Sequence, residues 1–262
     1  MYNTLGVIGC GNMAYALVKG LLKANSLKLY VNDINLERLA LFAEEFQAVA
    51  ASVTDLVTNS DMVLIAVKPY QMETLIKEIA LDWQPDKVLV SIAAGISTVQ
   101  IEQWLAADAR IIRMIPNTPA LVGAGLLAMA GAAATSEKLM AEVSNIFSAA
   151  GSTLVVAEKD MDAVVALSGS GPAYIFMILE ALTEAGVLVG LSADIAFTLV
   201  KETMKGSLCL AEESGQHPAV LKQQVCSPGG TTIAAVRALE KSGFREALFA
   251  AVQAAYDRSR EI

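Results

Sequence analysis

The chain has 262 residues, enough for one large domain or two modest ones. Hydrophobic residues make up 55% of it and charged residues 18%, with a formal net charge of −8 and a pI near 4.8. No basic run offsets that acidity, which argues against nucleic acid or an anionic membrane as a partner.

Cys10, Cys209 and Cys226 are odd in number and lack metal-ligand spacing, so reduced thiols in a cytoplasmic protein are expected, with no metal. The start "MYNTLGVIGCGNM" enters a strand pattern at once, without a charged leader and cleavage site. Of two apolar stretches, "LVGAGLLAMAGAAA" is too short to span a bilayer and residues 173–191 carry Glu180 and Glu184; a soluble chain is expected.

In chain order, strands are predicted at "LGVI" (5–8), "LKLYV" (27–31), "MVLIAV" (62–67), "KVLVSI" (87–92), "RIIRMI" (110–115) and "LLAMA" (126–130). Helical patterns such as 35–46 and 71–80 lie between the earlier ones. Apolar strands separated by helices indicate a parallel sheet buried on both faces. The expected architecture is α/β: a Rossmann-like, doubly wound parallel sheet over residues 1–157, then an all-α domain over 158–262. Helices in the second part are predicted near 162–166, 173–189, 193–213, 231–241 and 244–261. The helix "AYIFMILEALTEAGVLV" has a polar strip of only Glu180, Thr183 and Glu184 and must be buried on nearly every side. A domain of about 105 residues has too little core for that, so a second subunit is expected against it.

"IGCGNMA" has the form G-x-G-x-x-A after the first strand: Gly9 for the tight turn, Gly11 for pyrophosphate approach, Ala14 for helix–sheet contact. Ile8, Cys10, Asn12 and Met13 belong to the same expected dinucleotide site. Asp33, 24 residues beyond Gly9, is placed to accept from the adenosine ribose hydroxyls and to repel a 2′-phosphate, which favours NADH over NADPH. Its alternative roles are to turn outward or to cap the helix from Asn35. "AVKP" (Ala66, Val67, Lys68, Pro69) and "SIAAG" (with Ala93 and Ala94) fall at carboxyl ends of strands, where open sheets bind ligands. Lys68 also reads as a solvated strand-end charge. "RMIPNTP" is either a wall of the nicotinamide pocket or a stiff connector.

"VCSPGGTTIAAVRALE" sets Ser227, two glycines and two threonines ahead of a helix. A bare helix start suits a small anion, and an ordinary capped start explains the same letters. His217, the single histidine, reads as a helix-start residue, and no Ser–His–Asp set or metal cluster can be assembled. No lysine or histidine occurs from Met161 through Val200, where a hydroxyacid dehydrogenase of this domain order carries its acid–base group. Reduction of a C=N bond fits better, because a protonated imine needs mainly orientation beside a hydride.

"GCGNMA", "AVKP", "SIAAG", "RMIPNTPA", "SGSGPAY" and "LKQQVCSPGGTTIAAVRALE", in this order across nearly the whole chain, resemble the pyrroline-5-carboxylate reductase family. The resemblance implies a Rossmann domain, a helical domain interlocking a homodimer, often within a ring of dimers, and reduction of 1-pyrroline-5-carboxylate to L-proline with NADPH or NADH. It further implies that Ser227 and the backbone of Gly230 and Thr231 hold the substrate carboxylate and that the Thr232 hydroxyl meets the ring nitrogen. Glu158 matches an acidic position near the substrate, presented across the dimer, and Gln224 a polar position near the cofactor. Ser52 and Val53 stand where the family often has an asparagine near the adenine. Other imine or β-hydroxyacid reductases and a non-catalytic dinucleotide sensor are the competing readings.

Overall fold

The computed structural model describes residues 2–106 and 108–261. They fall into two compact units, one running through Ser170 and regaining the chain from Ala255, the other Gly171–Ala254.

The first unit is built on eight strands: β1 (Thr4–Ile8), β2 (Lys28–Asn32), β3 (Val49–Ala50), β4 (Met62–Ile65), β5 (Val88–Ser91), β6 (Arg110–Pro116), β7 (Gly125–Gly131) and β8 (Gly151–Val155). They lie in the order β3-β2-β1-β4-β5-β6-β7-β8. Six helices alternate with them: α1 (Asn12–Ala24), α2 (Leu36–Phe46), α3 (Val53–Asn59), α4 (Met72–Ile79), α5 (Thr98–Trp104) and α6 (Glu137–Phe147). All four residues of β4 and of β5 are buried, as strands covered on both faces must be. One core surrounds Leu17, Leu64, Met114 and Phe147, a second surrounds Leu56, Ile65, Ile76 and Ile111, and a small third joins Ile115, Ala130 and Met161.

The sheet is not wholly parallel. β6 and β7 pair antiparallel, with Met114 opposite Met129, because only the short turn over Thr118–Val122 connects them. A parallel return needs a crossover of a dozen or more residues. β7 then pairs parallel with β8 through α6.

The strand signals stop at 157, but the first unit continues to Ser170. Glu158 and Asp162 bind Arg113 of β6, and Met161 and Ala166 are fully buried. This connector holds α7 (Met161–Val164) and a π-helical turn over Val165–Gly169.

The second unit contains α8 (Gly171–Leu188), α9 (Ala193–Ser214), α10 (Pro218–Val225), α11 (Thr231–Lys241) and the start of α12 (Phe244–Ser259). α8 and α9 approach closely at Gly186, where an added Cβ would lie 2.7 Å from that of Ala196. No residue of α8 is buried, and Phe176 and Met177 are 61% and 69% exposed. The segment Glu158–Leu188 is long and apolar enough to cross a membrane by length and composition. Its apolar surface, together with the Glu180–Glu184 strip, also suits a protein neighbour.

Candidate functional site

Two helices start in the same unusual way. Most helix starts in the chain carry a side-chain cap or an acidic first turn, as at Asn35 with Glu37, Ser52 with Asp55, Ser136 with Glu137, and Ser192 with Asp194. α1 and α11 instead begin at Gly11 and Gly230, without a side-chain cap or an acidic first-turn residue. Their first N–H groups and the positive end of their dipoles are left for an anion.

In the first unit, Gly9 has φ of +93° and its N–H donates to Asn32 O at 2.8 Å. A Cβ on it would lie 2.7 Å from the Ala66 carbonyl, so glycine alone lets β1 turn beside β4. Gly11 has nothing within 4 Å of a built Cβ. Its bare face and the uncapped start of α1 fit a pyrophosphate.

A cavity of about 620 Å³ opens at the carboxyl ends of β1, β2 and β4. Of the expected cofactor residues, Ile8, Gly9, Gly11, Asp33, Ala66, Val67 and Lys68 line it. Asn12, Met13, Pro69, Ala93 and Ala94 are outside that lining, as is Gln224 in the other unit. Cys10 is fully buried, and burial followed by the Asp33 charge pushes its thiol up to about 12. Its backbone is occupied as well. The Cys10 N–H donates to Asp33 Oδ2 at 2.5 Å, and its carbonyl accepts from Arg38 Nε at 2.6 Å.

Asp33 also accepts from the Asn35 N–H at 2.7 Å, so two backbone bonds pin a carboxylate that still faces the cavity. The capping role weighed for it belongs to Asn35, whose side chain accepts from the N–H groups of Glu37 and Arg38. Of the opposite wall, sequence reasoning pointed only to Val53. Ile34, Val53, Tyr70 and Leu75 supply flat or apolar surface for an adenine, while Thr74 and Glu78 bring polar groups. The clue was weak: an isoleucine and a tyrosine just past strand ends, 92% and 83% exposed. Ser52 is spent as the cap of α3, which leaves Val53 where the expected asparagine contact is lacking.

In the second unit, α10 ends at Val225 and the chain turns through Gly229, at φ of +67°. The Gly230 N–H closes that turn onto Ser227 O at 3.1 Å, so it is committed within the loop. The N–H groups opening α11 begin with Thr231 and Thr232. The Ser227 hydroxyl lies over Gly230, 2.3 Å from where a Cβ would sit. His217 caps α10, its Nδ1 accepting from the Ala219 N–H at 3.2 Å. Gln224 donates to Gln216 at 2.9 Å. Among the described residues no group of three metal-ligating side chains occurs.

Residues 158–262 match the family model for pyrroline-5-carboxylate reductase dimerisation, and residues 4–95 match the model for coenzyme F420-dependent NADP oxidoreductases. A pyrroline-5-carboxylate reductase of Pisum sativum is 42% identical, covering 99% of this chain and 96% of its own. The chain belongs to the pyrroline-5-carboxylate reductase family. Among solved members of that family, the Coxiella burnetii enzyme superposes with a TM-score of 0.90 at 35% identity, covering 98% of this chain and 97% of its own. A Plasmodium falciparum pyrroline carboxylate reductase solved with NADP bound gives 0.89 at 32%, covering 99% and 97%. Family membership accords with the Rossmann-like sheet followed by a helical domain, and with oxidoreductase chemistry on a nicotinamide dinucleotide.

Proposed function

We propose that the protein reduces the C=N bond of 1-pyrroline-5-carboxylate to give L-proline, the last step of proline biosynthesis. The observation that carries this reading is the pair of bare helix starts, α1 for a dinucleotide pyrophosphate and α11 for a small carboxylate. The names of the full-length relatives supply the substrate. A reduced nicotinamide, when bound, supplies the hydride. The Ser227 hydroxyl and the N–H groups of Thr231 and Thr232 hold the substrate carboxylate against the start of α11. The Gly230 N–H serves that turn by closing it. The Thr232 hydroxyl orients the ring nitrogen as it changes from iminium to amine. No strong base is required, because the protonated imine is already electrophilic.

NADH is proposed as the better donor. Asp33 and Glu78 line the cavity with Lys68 as their only cationic companion among its lining residues, and Arg38 is turned onto the Cys10 carbonyl. Among the lining residues a 2′-phosphate would meet two carboxylates and one ammonium, with Arg38 keeping its charge outside that lining. Glu158 and Gln224 are proposed to lie near substrate and cofactor, as the family resemblance implies. The apolar face of α8 is proposed to be covered in a homodimer through the helical domain, residues 158–262, with a ring of dimers as a further step and the cytoplasm as its location.

The test follows NADH oxidation with racemic pyrroline-5-carboxylate, beside a panel of hydroxyacids with the oxidised cofactor. Proline formation from the imine alone is expected. Turnover of a hydroxyacid, or none of the imine with either cofactor, would reject the reading.

A further inference from the structure

Few polar side chains are buried among the described residues, and one of them, Arg113, lies between two carboxylates. Arg113, 4% exposed, lies in β6 opposite Ser91 and Ala130. Its Nη1 donates to Glu158 Oε1 at 3.0 Å, and its Nη2 lies 3.6 Å from Asp162 Oδ1. Glu158 Oε1 also accepts from the N–H of buried Thr98 at 3.2 Å. Asp162 Oδ1 accepts from the hydroxyl of buried Ser259 at 3.1 Å.

We infer that Arg113 is a positioning residue for the proposed reduction, acting through Glu158 and Asp162 rather than by touching substrate or cofactor. This inference rests on that functional reading. Thr98 opens α5, just past the 93–95 stretch that follows β5. Asp162 precedes the point where the chain leaves for the helical unit at Gly171, and Ser259 follows its return at Ala255. One guanidinium on a rigid strand therefore holds Glu158, which meets the start of α5, and stands in ion-pair range of Asp162, which in turn accepts from Ser259. Stability alone gives no reason to keep such a cluster, since well-packed apolar residues often serve as well as a buried ion pair. Hydride transfer does give one, because a misplacement of about 1 Å made far from the chemistry can cost on the order of a hundredfold in rate. The Nε and Nη2 of Arg113 and Oε2 of Glu158 are buried without a hydrogen-bond partner, so the cluster is fixed by few bonds and is sensitive to losing any.

The test uses Arg113→Met, Arg113→Lys and the double variant Asp162→Asn/Ser259→Ala, which loosens the returning helix and leaves Glu158 intact. Measured for each are kcat, the deuterium isotope effect on kcat with 4-deuterated NADH, the Kd for NADH, and Tm. Arg113→Met should lose at least tenfold in kcat and the double variant threefold or more. In both, the isotope effect should rise and the Kd stay within twofold of wild type, with Arg113→Lys recovering part of the rate. If Arg113→Met does not fold, the double variant decides. Unchanged kcat and isotope effect, or NADH binding lost in step with kcat, would overturn the inference. A wild-type protein inactive on the cyclic imine would instead sink the functional reading beneath it.

Discussion

Alanine at Gly11 should leave the fold intact and weaken dinucleotide binding, whereas alanine at Gly9 should damage the fold. Gly11 sits at φ −68°, ψ −179°, open to any residue, and a Cβ there meets nothing within 4 Å. The folding cost is that of a poorer helix cap, about 1 kcal/mol or less. The methyl would stand on the bare face assigned to the pyrophosphate. Losing one hydrogen bond to a charged group costs about 1.5–3 kcal/mol, a weakening of Kd by roughly 10- to 150-fold. At Gly9 the methyl meets Ala66 backbone atoms at 2.7 Å with φ at +93°. The positive φ alone costs about 1–3 kcal/mol, and the overlap falls on strand-end backbone that cannot rotate aside. A fall in Tm of at least roughly 5 °C is expected, at about 2–4 °C per kcal/mol for a domain of this size. Fluorescence titration with NADH and thermal unfolding followed by circular dichroism separate the two effects. Wild-type affinity in Gly11→Ala, or a wild-type Tm in Gly9→Ala, would refute the reasoning.

Thr232→Ala should lower kcat/KM for the imine by roughly tenfold or more, the worth of one oriented hydrogen bond; wild-type kinetics would remove Thr232 from the mechanism. Asp33→Asn should raise the NADPH-to-NADH ratio of kcat/KM by roughly fivefold, on the scale of one solvent-exposed charge pair of about 1 kcal/mol, and an unmoved ratio would defeat the charge argument. Asp61 accepts from the N–H groups of Asn3 and Thr4 at 2.8 and 3.0 Å. Burial raises its pKa, but these bonds, the Thr4 hydroxyl and Lys87 outweigh that and hold it below the ordinary carboxylate value. A carboxylate depressed in the fold contributes stability above its unfolded pKa of roughly 3.9, lost as pH falls through the folded value. Asp61→Asn should therefore lower Tm at pH 7, and the gap should close in scans taken progressively below pH 4.

Elements with local stop and start signals were legible in the sequence. α11 spans the predicted 231–241, and α2 begins one residue after its asparagine cap. What failed was non-local. β3 is two residues long and exists only by pairing with β2. β8, "GSTLV", begins with small polar residues that mask a strand, and the reversal of β7 is decided by its partner. The start of α10 was legible at His217, but its extent was not, because "PAVLKQQV" is short and sits between two turn signals. Within the site, the glycines and Asp33 could be read because the turn demands them. Leu75 and Glu78 could not, since letters do not reveal which face of α4 borders a cavity, nor could Tyr70 in the turn ahead of it. Arg113 hid inside "RIIRMI" because its partner Glu158 lies 45 residues away.

The two margins of the sheet differ in their exposure to self-association. On one side β3 offers only Val49 and Ala50 to an incoming strand, too short a template to hold one. On the other, β8 presents five residues ending in Leu154 and Val155, each about half exposed. Unpaired main chain beside apolar side chains recruits further strands, so clumping of heated or partly unfolded protein should begin at Gly151–Val155. A lysine in place of Val155 is the natural means of blunting that margin without touching either bare helix start.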